Sequence, residues 1–159
     1  INETNLSQIG KPHLAKMRAV LSQSMEIAFP LTVEEVVMMG RYPHFTNQPS
    51  NMDKQICQQA IDFFSIESLK QRNYITLSGG EKQRVNFARV AAQIWPDSNV
   101  STKILLLDEP LNYLDVYFQY EFMNLLKKLM NLQPMAIVGV VHDSRSDPFN
   151  FGVDQDKYL

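Results

Sequence analysis

Two adjacent carboxylates, Asp108 and Glu109, close the aliphatic run at residues 104–107. Adjacent side chains on a strand point in different directions, so the two groups can have different roles. Asp108 can hold a hydrated Mg²⁺, a hard ion that prefers carboxylate oxygens. Glu109 can polarise a water molecule for in-line attack on a phosphoryl group. The alternative is an ordinary polar strand end beside a loop, and this pair alone does not decide between the two.

The segment Ser78-Gly79-Gly80 precedes a predicted helix and is suited to binding an anion. Ser78 can cap the helix while Glu81, three residues later, returns the hydrogen bond, which is the spacing of a capping box. A helix N-terminus offers free backbone N–H groups, and glycine lets an anion approach them closely. A plain capping box is the alternative. Two glycines in the first turn each cost about 1 kcal/mol of helix stability relative to alanine, and this cost favours a ligand.

Two further polar residues stand at the ends of predicted strands. His142 follows the apolar run at 135–141, and Gln23 closely follows the short apolar run at 19–21. A lone histidine is more often structural than functional, and a glutamine carries little information by itself. The carboxyl ends of parallel strands open on one edge of a sheet, however, where α/β proteins bind their ligands. Both residues are therefore candidates for the same site as Asp108.

The elements that position these residues follow an α/β order. A strand at 104–107, an amphipathic helix at 116–131 and a strand at 135–141 predict a right-handed βαβ unit of a parallel sheet. Because both strands are continuous apolar runs, we expect them to be buried on both faces of that sheet.

Further elements are predicted ahead of this unit. Gly10 and Pro12 mark a turn. Thr32 and Glu35 have the spacing of another capping box, which begins a helix that stops at Gly40. The remaining predicted elements are a strand at 19–21, a helix at 52–64, and a helix that starts after Ser78 and ends by Pro96.

Composition excludes several classes of protein. The chain is 45% hydrophobic, which excludes disorder as its main state, and its 15 Lys+Arg against 17 Asp+Glu give a formal net charge of -2. With no overall basic field, nucleic-acid binding is not expected. The single cysteine, Cys57, excludes an intramolecular disulfide and a cysteine zinc cluster. No run of 18 apolar residues and no secretion signal are found, so we expect neither a membrane span nor export.

Together these motifs resemble those of the ATP-binding subunit of ATP-binding cassette (ABC) transporters. The segment Leu77-Ser-Gly-Gly-Glu-Lys-Gln-Arg84 is similar to the signature motif of that family, and residues 104–108 are similar to its Walker B strand. The resemblance covers about residues 18–143. It places Glu109 at the catalytic glutamate, and it matches Gln23 to the Q-loop, Asp115 to the D-loop and His142 to the switch histidine.

The resemblance implies a P-loop NTPase-like (RecA-like) parallel sheet core with an inserted α-helical subdomain. Residues 1–23 and 96–143 would form the core, 24–95 the helical subdomain with the signature motif, and 144–159 a divergent tail. It also implies a head-to-tail dimer with a second ATPase subunit, which holds ATP and Mg²⁺. The implied site consists of the catalytic residues Glu109, His142 and Gln23, the nucleotide-binding residues Ser78, Gly79, Gly80, Gln83 and Asp115, and the metal ligands Asp108 and Gln23.

A finer resemblance concerns the type of transporter. Residues 28–44 are similar to the region after the Q-loop in ATPase subunits of iron-complex importers, and 114–119 resemble the haem-importer branch. Since the helical subdomain of that family contacts the membrane partner, the segment from Thr32 to Phe45 is the implied contact with transmembrane permease subunits. We expect its apolar side chains to face inward and its polar ones outward, namely Glu34, Glu35, Arg41 and Tyr42. The implied function is ATP-driven import of haem or a related iron complex by a cytoplasmic subunit at the inner face of the cell membrane.

The chain also departs from the family. It has no G-x-x-x-x-G-K-[ST] motif, and its one Gly-Lys pair, Gly10-Lys11, is followed by Pro12. We therefore expect the domain to be incomplete at both ends, the apolar middle of the sheet to be uncovered, and this chain alone not to turn over ATP. Two alternatives stay open, a non-catalytic ABC-like fragment and a soluble ABC protein without a transport role.

Overall fold

The computed structural model describes residues 10–22, 25–96, 102–108 and 116–140. Within these ranges the chain forms a parallel sheet and a group of helices, with single 3-10 turns at Tyr42–His44, Glu67–Leu69 and Tyr74–Thr76. The helices and strands, in chain order, are α1 (Lys11–Met17), β1 (Arg18–Leu21), α2 (Val33–Met39), α3 (Asn51–Phe63), α4 (Gly79–Gln93), β2 (Lys103–Asp108), α5 (Val116–Leu132) and β3 (Met135–Val140). No described helix is long and apolar enough to cross a bilayer.

The sheet contains three parallel strands in the order β1-β2-β3, which confirms the predicted α/β class. Its register places Leu21 beside Leu107, and Leu107 beside Gly139. Since side chains alternate along a strand, each row of paired residues faces one side of the sheet. One side packs against α4 and α5 through the residues Leu21, Leu105, Leu107, Val90, Ala91, Leu126 and Leu129.

The opposite side of the sheet is open among the described residues. Val20 is 43% exposed and Val138 is 58% exposed, while Ile104 and Leu106 are only half-buried. The prediction of strands buried on both faces is therefore wrong for the described part of the chain, because no described element covers this side.

The helices α2, α3 and α4 enclose one part of the apolar core, which continues through α4 to the sheet and α5. Several of its side chains have no exposed surface at all, among them Val33, Val36, Val37, Ile61, Val85 and Ala88. Cys57 lies in this core, with its Sγ 3.7 Å from the Sδ of Met38. Gly40 ends α2 directly against α4: a Cβ at this position would lie 2.0 Å from the backbone oxygen of Arg89. Only glycine lets the two backbones approach this closely.

Capping boxes begin all three of these helices. Those predicted at Thr32 with Glu35 and at Ser78 with Glu81 are confirmed. A third, formed by Ser50 with Asp53 at the start of α3, was not predicted. Each box satisfies backbone N–H groups that have no partner within the first turn, and so fixes the residue at which the helix starts.

The N-terminal part of the described chain differs from the prediction. The turn expected at Gly10 and Pro12 is the start of helix α1, where the amide of Leu14 donates to the oxygen of Gly10 at 3.0 Å. Pro12 lies in the first turn, where its missing N–H removes no helical hydrogen bond. From the sequence alone, Pro12 indicates a turn, although proline is also common in the first turn of a helix.

Candidate functional site

The N-terminus of α4 combines a capping box with free backbone donors. The amide of Glu81 donates to Ser78 Oγ at 3.3 Å, and the amide of Ser78 donates to Glu81 Oε2 at 2.8 Å. The amides of Gly79 and Gly80 precede the first residue that can bond within the helix. They lie at the positive end of the helix dipole, which favours an anion there.

Gly79 has more open space around it than Gly80. A Cβ built at Gly79 has no atom within 4 Å, whereas one at Gly80 would lie 3.9 Å from Cζ of Phe118 in α5. Ser78 and Gly79 are exposed, and Gly80 is half-buried. The open side of this helix end is therefore at Gly79, where an incoming group can reach the backbone without displacing a side chain.

Charged side chains surround the same helix end. Hydrogen bonds from the backbone and side chain of Ser78 lower the pKa of Glu81, so its carboxylate stays ionised and engaged in the cap. Arg72 approaches this carboxylate at 3.4 Å, and Nζ of Lys82 lies 5.9 Å from the centre of the Tyr74 ring. Next to the exposed glycines, Arg72 therefore partly neutralises the negative charge of Glu81, and Lys82 adds a positive charge.

Gln83 lies one turn further along α4, in the seam between α4 and α5. A narrow cavity there is lined by Gly80, Gln83, Arg84 and Phe87 from α4 and by Phe118, Glu121, Phe122 and Leu125 from α5. The rings of Phe87 and Phe122 stack with centroids 4.2 Å apart. The buried Nε of Arg84 has no hydrogen-bond partner among the described residues. This packing fixes the first turns of α4 against α5.

Asp108 is at the carboxyl edge of the sheet, as predicted. It is the last residue of β2, is exposed, and pairs in register with Val140 at the end of β3. In the preceding row of this register Leu21, at the end of β1, lies beside Leu107. The three strand ends are therefore adjacent, which is the arrangement that brings groups following each strand to one edge.

The other predicted site residues, Gln23, Glu109, Asp115 and His142, lie outside the described residues. Within the described ranges no group of three or more His, Cys, Asp or Glu side chains is arranged to hold a metal ion. Asp108 is thus the one proposed metal ligand whose position the structure gives. The predicted site residues within the described ranges lie in two places, the first turns of α4 and, for Asp108, the carboxyl edge of the sheet.

The predicted partner surface from Thr32 to Phe45 is mostly arranged as expected, with one exception. Glu35 and Tyr42 are exposed, and Glu34 is half-buried beside Lys70, 3.6 Å from its Nζ. Arg41 was expected to face outward, and this prediction is wrong. It is 4% exposed, and its side chain turns inward from the end of α2.

The reason for the burial of Arg41 is a pair of acceptors that the sequence does not place nearby. Its Nε donates to Asp53 Oδ1 at 3.0 Å, and its Nη1 donates to the backbone oxygen of Ala92 at 2.7 Å. Burial raises the pKa of Asp53, but the hydrogen bonds from Ser50 and Arg41 outweigh it and the pKa is lowered. Both charges are therefore present and paired in the interior.

His44 also turns inward from this segment. Its Nε2 lies 2.7 Å from the backbone oxygen of Gln93. Burial lowers the pKa of His44 despite this hydrogen bond, and the nearby charges of Arg41 and Lys16 lower it further. Because a carbonyl oxygen only accepts, Nε2 carries the proton of the neutral ring.

One groove was missed by the sequence analysis. It has a volume of about 330 Å³ and is lined by Met25, Glu26, Ile27, Ala28, Tyr74, Ile75 and Lys82. Phe29, the next residue along the chain, is 60% exposed. The groove brings together residues 25–28, residues 74–75 and Lys82 of α4, which are distant in sequence, so no local signal identifies it.

Comparison with known proteins gives consistent results. Residues 1–112 match the ABC transporter family. The hemin import ATP-binding protein HmuV of Burkholderia lata is 38% identical over 148 residues, which is 90% of this chain and 54% of that protein. The protein described by the same name in Burkholderia cenocepacia is 37% identical over 151 residues, or 90% of this chain and 55% of the relative. This chain therefore spans about half the length of the curated relatives it matches.

Solved structures show the same fold. The cbiO1 protein of Clostridium perfringens, part of the ABC transporter complex cbiONQ, matches with a TM-score of 0.64 and 28% identity, covering 80% of this chain and 48% of that one. The bacterial ABC transporter cassette MJ0796 matches with a TM-score of 0.67 and 24% identity, over 90% of this chain and 61% of its own.

Proposed function

Since this chain belongs to the ABC transporter family, we propose that it is the ATP-binding subunit, or a part of that subunit, of an importer for haem or a related iron complex. The observation that carries the proposal is the N-terminus of α4, where the signature-like segment Ser78-Gly79-Gly80 presents the free amides of its two glycines, with open space at Gly79. The relatives described as hemin import proteins, together with residues 28–44, support the iron-complex class.

The described residues fit ATP with Mg²⁺. The open Gly79 position admits an oxyanion, and the exposed carboxylate of Asp108 is a hard-ion ligand at a strand end. When bound, the magnesium nucleotide supplies the phosphoanhydride bond that is hydrolysed. Ser78, Gly79 and Gly80 would contact its phosphates, with Gln83 and Asp115 nearby, and Asp108 and Gln23 would hold the metal. Glu109 and Gln23 would orient the attacking water, and Glu109 and His142 would move its proton.

We further propose a head-to-tail dimer in which the α4 N-terminus of one subunit completes the nucleotide site of the other. The exposed position of Ser78 and Gly79 supports this arrangement, because these residues are available to a second subunit. Neither half of such a site neutralises a triphosphate alone, so the nucleotide would hold the two subunits together and its hydrolysis would release them.

The proposed membrane contact is the segment from Thr32 to Phe45, which would bind transmembrane permease subunits at the inner face of the membrane. Its exposed side chains include Tyr42, which is 59% exposed and lies edge-on to the ring of Phe45 at 5.8 Å. Aromatic residues of this kind are enriched in protein interfaces. No contact with nucleic acid is proposed.

A second candidate function, a non-catalytic binding role for this polypeptide by itself, is favoured by one observation. The 159 residues contain no G-x-x-x-x-G-K-[ST] motif, which supplies the backbone cradle for the β- and γ-phosphates. We expect this chain alone to bind MgATP only weakly, and an equilibrium titration showing micromolar or tighter binding would contradict that expectation.

The transport proposal is tested in the full-length subunit with Glu109→Gln. Loss of the proposed base should stop hydrolysis while ATP still binds, so the variant should accumulate as an ATP-bound dimer. Size-exclusion chromatography with and without MgATP detects that dimer. An unchanged hydrolysis rate would remove Glu109 from the mechanism. Equal monomer elution with and without nucleotide would contradict the dimer.

A further inference from the structure

The two ends of helix α4 face different parts of the proposed mechanism. Its N-terminus carries the proposed phosphate contacts Ser78 to Gly80, and its C-terminus lies beneath the segment Arg41–Phe45, which we call the contact loop. The helix has 15 residues, so at about 1.5 Å per residue it spans about 22 Å. Each end of α4 therefore lies next to a surface with a proposed function.

The last carbonyl groups of α4 each have a side-chain donor from elsewhere in the chain. Ala92 accepts from Nη1 of Arg41 at 2.7 Å, and Gln93 lies 2.7 Å from Nε2 of His44. Ile94 accepts from Nε2 of Gln133 at 2.6 Å. These carbonyls have no partner within the helix and carry the negative end of its dipole, so donors and cations are favourable there. Two of the three donors come from the contact loop.

The contact loop has little freedom to move relative to α4. Arg41 is also bonded to Asp53, whose second carboxylate oxygen accepts from the amide of Ser50 at 2.9 Å. Immediately before the loop, Gly40 contacts the backbone of Arg89 so closely that no side chain fits between α2 and α4. The loop is thus attached to the same helix at Gly40, Arg41 and His44, within five residues of chain.

Tyr42, which lies between these attachments, faces outward. It is exposed and contacts the half-buried ring of Phe45, the residue after His44, at a ring distance of 5.8 Å and an angle of 85°. A force applied to these rings therefore reaches α4 through His44 and Arg41.

We propose that Arg41 and His44 are positioning residues, which fasten the contact loop to the C-terminus of α4 and so keep it in a fixed position relative to the phosphate contacts at the other end of that helix. This inference rests on the proposed function. Movement of the signature end of α4 on ATP binding or release shifts the Tyr42–Phe45 rings with it. Loosening the loop separates ATP hydrolysis from transport without altering the nucleotide site.

The test uses the full-length subunit assembled with its permease in lipid discs, with haem as the transported probe. His44→Ala removes the donor to Gln93 and should lower the haem transported per ATP hydrolysed about tenfold, the scale of a typical coupling energy. His44→Gln, whose amide nitrogen can replace Nε2 as a donor, should restore the ratio. Arg41→Lys, whose single ammonium cannot reproduce the separate Nε and Nη1 donors to Asp53 and Ala92, should lower it as well.

Gln133→Ala is the matched control, because it removes a donor to the same helix end without touching the contact loop. It should leave the transport ratio at the wild-type value even where its melting temperature falls as far as that of His44→Ala. Equal losses of the ratio in both variants, or a wild-type ratio in His44→Ala, would overturn the inference. A wild-type assembly that neither hydrolyses ATP nor takes up haem overturns the proposed function, and with it any connection to a permease.

A second measurement does not depend on transport. In the full-length subunit, hydrogen exchange of the amides at positions 41 and 44, which donate to the backbone oxygens of Met38 and Arg41, should accelerate about tenfold in His44→Ala. It should stay at the wild-type rate in Gln133→Ala, since local opening exposes amides in proportion to its equilibrium constant. Unchanged exchange in His44→Ala would show that the histidine does not hold the loop, and would also overturn the inference.

Discussion

The helices α2, α3 and α4 and the sheet β1-β2-β3 differ in how they are covered. The helices enclose side chains such as Val36 and Ile61 with no exposed surface, whereas the sheet has an open side on which Val138 is 58% exposed. Within the described residues, the shared apolar core is therefore closed among the helices and open on one side of the sheet. The difference indicates that the stability of this chain is concentrated in the helical region, while the sheet serves to align strand ends.

The largest expected effect tests this contrast directly. Ile61→Ala removes a fully buried side chain and should destabilise the chain by about 3–4 kcal/mol through lost burial and a remaining cavity. Val138→Ala on the open side of the sheet should cost less than about 0.5 kcal/mol. Urea denaturation followed by circular dichroism gives both values. Similar losses at the two positions would show that the sheet face is covered in solution.

Alanine substitutions at Gly40 and Gly79 should change the free energy of unfolding in opposite directions. Gly40→Ala places a methyl group 2.0 Å from a backbone oxygen and should cost about 2–3 kcal/mol through overpacking. Gly79→Ala meets no atom within 4 Å and should raise stability by up to about 1 kcal/mol through helix propensity. The same denaturation experiment measures both.

The functional readout of Gly79→Ala differs from its effect on stability. The methyl group would occupy the open space above the free amides and should weaken MgATP-dependent dimerisation of the full-length subunit. A stabilised variant that dimerises normally would contradict the assignment of Gly79 to the phosphate contacts.

The third effect concerns the capping box of α3, which belongs to the helical region alone. Ser50→Ala removes the hydroxyl that accepts from the amide of Asp53 at 3.2 Å and should cost about 1 kcal/mol. Ser50→Thr keeps the hydroxyl and should cost less. Thermal melts of the two variants distinguish loss of the cap from general sensitivity at this position.

The smallest effect is a pH dependence where the contact loop meets α4. Burial lowers the pKa of His44 below its ordinary value near 6.5, so the unfolded chain binds a proton before the folded chain does. The contribution of His44 to the free energy of unfolding is therefore fully present above pH 6.5. It decreases as the pH drops toward the pKa of this histidine in the folded state. The lowered pKa of Asp53 changes the free energy of unfolding only at more acidic pH. Melting temperatures at pH 7.5 and 5.5 measure the fall, which should be smaller in His44→Gln.

Local signals explain what the sequence predicts correctly. The aliphatic run that ends at Asp108 identifies β2, and the spacing of Ser78 with Glu81 identifies the start of α4. The same spacing at Ser50 with Asp53 was overlooked because its acid is Asp instead of the Glu or Gln typical of this motif. For these features a few neighbouring residues contain the necessary information.

Long-range contacts account for what the sequence does not predict. The burial of Arg41 depends on Asp53, 12 residues away, and on the backbone of Ala92, 51 residues away. From its neighbours in sequence, the charged Arg41 after Gly40 is expected to be solvated. The packing of α2 on α4 buries it instead. The assignments of Gln23, Glu109, Asp115 and His142 stay predictions, because these residues lie outside the described ranges.

The environment of Cys57 has a practical consequence for labelling. Burial raises the pKa of its thiol to about 12, so at neutral pH it is almost entirely protonated and a poor nucleophile. It is also the one cysteine of the chain. A maleimide dye should therefore react selectively with a thiol introduced at an exposed position such as Thr46→Cys, with the native cysteine left in place. The motion of the contact loop can then be followed by fluorescence in an otherwise unaltered protein.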